Sequence, residues 1–190
     1  WKRDEENPID ENDVELPPYY PDTPLIRRDW ANGLEQLQLA DKTIGKMLQK
    51  LDEDGLRDNT LVILIGDNGR CMPRGKQFLY DGGISIPLLM RWPGHIKPGT
   101  VCDDLVNTLD ICKTIVDLAE VHPPHRLHGM NLFETAIRKR PYILATRDKM
   151  DDTHDAMRAV RSKRYKYIRN LMPERAYCQY NEYKEKRYPT

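Results

Sequence analysis

Five branched apolar residues in succession, Leu61-Val62-Ile63-Leu64-Ile65, stop abruptly at Gly66-Asp67-Asn68-Gly69. So apolar a run over so short a length reads as a strand covered on both faces, the kind that fills a parallel sheet. Its end places a carboxylate and an amide at the carboxyl end of the strand, where ligands gather in open α/β sheets. Asp67 and Asn68 are hard oxygen ligands, suited to calcium or magnesium and poorly suited to zinc. A basic loop with glycines follows: Arg70, Arg74, Gly75, Lys76, then Tyr80-Asp81-Gly82-Gly83. Lys76 is a compact charge on a long stem, and Arg74 offers two parallel hydrogen bonds to an anion. Oxygen ligands for a cation followed by cations for an oxyanion predict a site for a metal-bound oxyanion ester. The plainer readings are an Asp-Asn-Gly turn and a solvated basic pair. The glycines match neither a Walker nor a dinucleotide fingerprint, so a phosphate loop is excluded on pattern.

Composition narrows the partners. Thirty basic and thirty acidic residues balance over 190, so nothing global points to nucleic acid or to a membrane surface. Mean hydropathy is −0.74, and no apolar run approaches the roughly 20 residues that span a bilayer. The chain opens on Trp1 rather than Met, which predicts a sequence truncated at its start and leaves a signal peptide unobservable. Cys71, Cys102, Cys112 and Cys178 form no C-x-x-C pair and no disulfide framework. They read as structural thiols, with Cys71 set apart by its place in the basic loop.

Residues 1–24 are acidic and proline-rich, which predicts an extended surface segment without a core of its own. Leu34, Leu37, Ile44, Leu48 and Leu51 recur at helical spacing and predict a helix from about Leu25 to Asp54, stopped by Gly55. Asp41 falls on that stripe and reads as a bracing carboxylate. A second short strand is expected over Ile86–Trp92, with Pro87 arguing for an edge or early position. A second helix is expected from Asp103 to Glu120 and a strand over Tyr142–Thr146. Arg158–Arg169 reads as two short strands around a Ser-Lys turn, with Arg158, Arg161 and Arg164 as surface charge and Tyr165, Tyr167 and Ile168 as a packing face. The expected division is thus 1–24, 25–140 and 141–190. His122, His125 and His128 sit between prolines with no helix to align them, so they read as solvent-facing. Asp151-Asp152-Thr153-His154-Asp155 reads as a polar loop, solvated or substrate-contacting.

Taken together, Gly66-Asp67-Asn68-Gly69, Arg74-Gly75-Lys76, Leu79-Tyr80-Asp81-Gly82-Gly83, Ile86-Pro87-Leu88 and Arg91-Trp92-Pro93-Gly94 resemble the second half of the sulfatase family pattern. Leu16-Pro-Pro-Tyr-Tyr-Pro-Asp-Thr-Pro24, Asp41-x-x-x-Gly45, Gly55-Leu-x-Asp-Asn-Thr60, Asp110 and Gly129-Met-Asn-Leu extend the likeness. Thr153-His154-Asp155, Arg158-x-Val-Arg161 and Tyr165-Lys-Tyr167-Ile-Arg-Asn170 are most similar to heparan N-sulfatase-like members. The likeness runs from about Leu16 to Tyr177.

The resemblance implies an alkaline-phosphatase-like α/β sheet flanked by helices, present in part, with a small C-terminal antiparallel α+β subdomain. It implies Asp67 and Asn68 as metal ligands, with Ca2+ the usual ion, and Lys76 as a catalytic, sulfate-binding residue. Asp152 and His154 are implied as substrate contacts on the subfamily likeness alone, and Arg74 joins them as a substrate-binding residue on its own anion-clamping chemistry. The implied reaction is hydrolysis of a sulfate ester or sulfamate of a sulfated sugar by a formylglycine hydrate, through a covalent enzyme–sulfate intermediate. A secreted, periplasmic or lysosomal location goes with it.

The departures set the limits. No Cys-x-Pro-Ser-Arg or Ser-x-Pro-x-Arg motif occurs, and the N-terminal aspartate pair, lysine and histidines of the family are absent. Lys113 stands where the family usually has proline. The expectation is therefore the C-terminal half of a sulfatase, which would need the N-terminal half of the domain as its partner and would not turn over alone. The competing classes are a phosphoesterase or phosphonate hydrolase of the same superfamily, and a non-catalytic remnant that binds sulfated carbohydrate.

Overall fold

The longest element is helix α1 (Pro24–Glu53), and its ends are written in the sequence. Thr23 caps it through its hydroxyl, which accepts from the Ile26 amide, and Pro24 occupies the first turn, where its missing N–H costs nothing. At the far end Gly55 takes a left-handed φ of 68°, and the Leu56 amide turns back to the Leu51 carbonyl at 2.9 Å. The computed structural model describes residues 4–72, 74–150, 153–177 and 182–187, which fall into two compact units.

The first unit comprises residues 1–62 and 91–97. Here the acidic segment is stitched to α1 by charge rather than by apolar surface. Glu35, fully buried, accepts from the amides of Asp4 and Ile9 at 3.1 Å each. Lys42 pairs with Asp4 and Glu6, and Arg27 donates to the carbonyls of Glu11, Asn12 and Val14. Val14 is buried and Tyr20 packs on Trp30 with ring centroids 5.6 Å apart, so a little apolar contact joins these polar links. The helical stripe is a weaker guide than its spacing suggests. Leu37 is exposed and so is Asp41, so the bracing carboxylate of this helix is Glu35.

The second unit comprises residues 63–90 and 98–190. Strands β1 (Val62–Ile65) and β2 (Leu88–Arg91) pair as a two-stranded sheet, and helix α2 (Asp81–Ile84) precedes β2. The expectation of a strand buried on both faces does not hold: Leu64, Ile65 and Leu89 are exposed. Val62, Ile63, Leu88 and Met90 are half-buried, so the two strands are covered only in part. Helix α3 (Thr108–Leu118) starts five residues later than its periodicity predicts, because Asn107 and Asp110 form a capping box that fixes its first turn.

Asp110 then ties this helix to two distant segments. Its carboxylate accepts from the Met130 amide at 2.8 Å and the Asn107 amide at 2.7 Å, and it takes a two-pronged grip from Arg140 at 2.6 and 2.7 Å. Thr114 continues the link, bonding the Asp110 carbonyl and accepting from the Leu132 amide.

The chain finishes with an antiparallel sheet, β3 (Ile143–Met150), β4 (Thr153–Arg161) and β5 (Lys166–Asn170), and a short helix α4 (Glu182–Arg187). The polar run expected as a loop enters β4, so Thr153, His154 and Asp155 are strand residues. One face of the sheet packs Ala145, Met157, Ala159 and Ile168 against Leu79 and Ile84. The other carries Leu144, Val160 and Tyr167 in register and exposed. Of the expected packing face only Ile168 packs, since Tyr167 alternates outward and Tyr165 is likewise exposed.

Burial pushes the Asp110 carboxyl up, but the Arg140 guanidinium and the Met130 and Asn107 amides outweigh it and hold the group below the usual carboxylate range. A depressed folded value contributes stability above the unfolded value of about 3.9, lost as pH falls below it. Asp110→Asn is expected to cost about 3–5 kcal/mol at pH 7, because Arg140 is left buried and unpaired. It should also flatten the acid limb of the stability curve below about pH 4. Urea unfolding of both proteins between pH 7 and pH 3 reads both effects, and matching curves would remove Asp110 from this role.

Candidate active site

The loop from Gly66 to Gly83 is closed by its own backbone. β1 ends as the Gly66 amide bonds the Pro87 carbonyl at 3.2 Å. The Gly69 amide then reaches the Gly83 carbonyl at 3.0 Å, and the Lys76 amide reaches the Arg70 carbonyl at 2.7 Å. Gly75, Phe78 and Gly83 donate to Met72, Gly75 and Tyr80 within the same loop. The approach is too close for side chains. A Cβ on Gly69 would lie 1.8 Å from the Gly82 oxygen, and one on Gly83 would lie 2.1 Å from the Phe78 oxygen and 2.4 Å from the Gly75 oxygen. Met72, Phe78 and Leu79 are buried beneath. This closure brings the Asp67-Asn68 turn and the Lys76 turn into one hydrogen-bonded knot.

Within the knot, Asp67 is exposed and Asn68 half-buried, and the Asn68 amide donates to the Asp67 carboxylate at 2.9 Å. Lys76 is half-buried. It is bracketed by two non-glycine residues in the left-handed region, Arg74 at φ 64° and Gln77 at φ 78°. Such conformations cost on the order of 1–3 kcal/mol each and persist only where the surroundings enforce them.

An aromatic cluster backs the loop. Phe78, Tyr80 and Tyr177 lie with ring centroids 5.7 to 6.2 Å apart, and the Arg74 guanidinium stands 4.2 Å above Tyr80. Arg147 lies 5.3 Å from the Phe78 ring and pairs with Asp155 at 3.2 Å, both partners buried. Burial, then a hydrogen bond with Tyr80, pushes the Tyr177 phenol far above its usual range. It stays a neutral donor at every physiological pH. Asp81 moves the other way: the Lys166 ammonium beside it holds its carboxyl below the usual range.

Of the residues expected at the site, the loop gathers Asp67, Asn68, Arg74 and Lys76. His154 is exposed on β4, its carbonyl accepting from Arg175 at 2.7 Å, while its neighbour Asp155 faces inward to Arg147. Asp152 lies outside the described residues. No group of three His, Cys, Asp or Glu side chains among the described residues is arranged to hold a metal. His122, His125 and His128 are exposed, as expected. Sequence reasoning missed Arg147, Asp155 and Tyr177. The signal for Asp155 was present: it shares the period-two inward face of β4 with Met157 and Ala159.

Two family models cover the chain: the sulfatase model over residues 4–121, and the N-sulphoglucosamine sulphohydrolase C-terminal model over residues 74–187. The chain belongs to the sulfatase family. An ulvan-active sulfatase of Formosa agariphila is 36% identical over 92% of this chain. Human N-sulphoglucosamine sulphohydrolase is 31% identical over 84% of it. The chain spans 29% and 34% of those proteins, about a third of their length. Two solved structures share the fold. One was determined in complex with its substrate D-glucosamine-2-N,6-O-disulfate (TM-score 0.62, 21% identity, 75% of this chain and 32% of that one). The other is yidJ from Bacteroides fragilis (TM-score 0.65, 23% identity, 78% and 35%). The architecture is accordingly the α/β one of sulfatases, represented in part, and the C-terminal sheet falls wholly within the second family model.

Gly83→Ala is expected to open this sulfatase loop. Overpacking of this kind costs about 1–3 kcal/mol, and here the obstacle is backbone that cannot rotate aside. Amide exchange at Gly69 and Lys76 should accelerate while α1 is unchanged. Unaltered exchange at those two amides would show that the glycine contact does not close the loop.

Proposed function

We propose that this chain supplies part of the catalytic centre of a sulfatase acting on a sulfated sugar, by hydrolysis of a sulfate ester or sulfamate. The observation that carries the reading is the closed loop that sets Asp67 and Asn68 beside the turn of Lys76. Family membership and the activities for which the relatives are named support it.

In this reading Asp67 and Asn68 bind a divalent cation, with Ca2+ the best match to a carboxylate and an amide oxygen. Calcium takes six to eight oxygens, so these two residues make up a minority of the ligand set. When bound, the ion supplies Lewis-acid polarisation of a sulfate oxygen. Lys76 binds a sulfate oxygen and stabilises negative charge as it develops toward the leaving group. Its neighbours in left-handed conformations fix where the stem begins, which limits the arc the ammonium can sweep. Arg74, stacked on Tyr80, presents its guanidinium edge to a second anionic group of the substrate. His154 and Asp152 are proposed sugar contacts on the subfamily likeness. Formylglycine, the family's nucleophile, would come from outside these 190 residues, which hold no motif for it.

A sulfated glucosamine is the favoured substrate class, because one relative is named for N-sulphoglucosamine and one structural neighbour was solved with a disulfated glucosamine. An extracytoplasmic location belongs to the same reading. No helix among the described residues is long and apolar enough to cross a membrane.

The test is hydrolysis of an aryl sulfate and of N-sulfoglucosamine by the full-length enzyme. Asp67→Ala is expected to abolish calcium binding and turnover together. Lys76→Ala should lower kcat by about 10²–10³ with the circular dichroism unchanged. A rate unaffected by loss of Lys76 would end its assigned role. Hydrolysis of phosphate esters in preference to sulfates would move the protein to the phosphoesterase class.

A further inference from the structure

Lys166 lies on β5, far along the chain from the loop that carries Lys76, and its side chain is only 13% exposed. Its ammonium donates to the Leu79 carbonyl at 2.9 Å and pairs with the Asp81 carboxylate. Arg161, the last residue of β4, places its Nε 3.5 Å from the same carboxylate oxygen. Both cations project from one end of the C-terminal sheet, where Arg161 and Lys166 are register partners. They converge on the segment Leu79–Asp81, immediately before the glycine pair whose second carbonyl receives the Gly69 amide.

Packing alone does not require these charges. Leu79 already meets Met157 and Ala159 in an apolar cluster, and hydrophobic contact holds surfaces together without fixing their register. A nearly buried lysine is costly unless its donors are placed, and its return is directional. Here the donors fix one carbonyl and one carboxylate on either side of Tyr80, so they set the direction in which the chain enters Gly82 and Gly83. A shift there moves the Gly83 oxygen off the Gly69 amide and loosens the turn that holds Lys76.

We infer that Lys166 is a positioning residue for Lys76: from the C-terminal sheet it clamps Leu79 and Asp81, with Arg161 as second anchor, and thereby keeps the Lys76 turn closed against the Asp67-Asn68 turn. Lys166 touches no substrate and acts through the loop. The functional half of the inference rests on the role given to Lys76 above; the clamp itself does not.

Two measurements separate the two halves. In the 190-residue chain, Lys166→Met should speed amide exchange at Gly69, Lys76 and Gly83 about tenfold or more, with α3 amides unchanged. Lys166→Arg, which keeps the charge, should restore most of the protection. Asp81→Asn removes the carboxylate half of the link from the loop side and should speed exchange at the same three amides to a smaller extent, should the methionine variant fail to fold. Unchanged exchange at the three loop amides in either folded variant would overturn the clamp. In the full-length enzyme, Lys166→Met should lower kcat about tenfold, and Lys166→Met combined with Lys76→Ala should be no slower than Lys76→Ala alone. Fully additive losses would overturn action through Lys76. A wild-type enzyme without sulfatase activity would defeat the functional reading, while the exchange data would still decide the clamp.

Discussion

The chain folds back so tightly between Gly69 and Gly83 that no side chain fits at either position, and the candidate site depends on that approach. A strand end such as Asp67-Asn68 offers two oxygens, and a loop lysine offers one charge. Neither is a site until backbone closure sets them side by side. The closure uses amides and carbonyls from Gly69 to Gly83, so it is local in sequence. What lies beneath it is not local. Leu79 and Ile84 pack on strands contributed 60 or more residues later, so the C-terminal sheet and the loop form one mechanical piece.

Buried charge follows a consistent division of labour. Glu35 receives two backbone amides, Asp110 receives two amides and an arginine fork, and Asp155 meets Arg147. Glu35 and Asp110 tie distant backbone segments to a helix, and Asp155 links β4 to β3. The acids and amides assigned to chemistry are different: Asp67 is exposed and Asn68 only half-buried. Glu35 and Asp110 spend both oxygens on protein donors, whereas an exposed carboxylate at the end of β1 keeps lone pairs for a cation.

Sequence alone indicated the family, and it placed α1 and the turn at Ser162-Lys163 closely. Periodicity and punctuation act over a few residues, and these features are decided at that range. The misreadings share a cause. The Leu61–Ile65 run states what the segment favours, but not whether anything lies against it, and its two-stranded sheet leaves Leu64 and Ile65 exposed. Asp155 looked like loop because acidic and small polar residues favour turns, yet pairing with β3 made strand of it and turned its carboxylate inward to Arg147. Asp41 and Glu35 exchange roles because which acid a distant backbone segment reaches cannot be read from helix spacing. Tyr177, outside any periodic segment, joins the site only through tertiary packing on Phe78 and Tyr80.

The loop's energetics explain why it needs help from so far away. Five internal backbone hydrogen bonds, from the amides of Gly69, Gly75, Lys76, Phe78 and Gly83, stabilise the knot. Against them stand the left-handed conformations of Arg74 and Gln77, at on the order of 1–3 kcal/mol each. Burial of Phe78 and Leu79 and the charge contacts from β4 and β5 act on the same segment and favour its closed form. The strained turn around the lysine proposed for chemistry is thus braced by the C-terminal sheet that packs on Leu79 and Ile84. That bracing ties the sheet to the candidate site although none of its strands carries Asp67, Asn68 or Lys76.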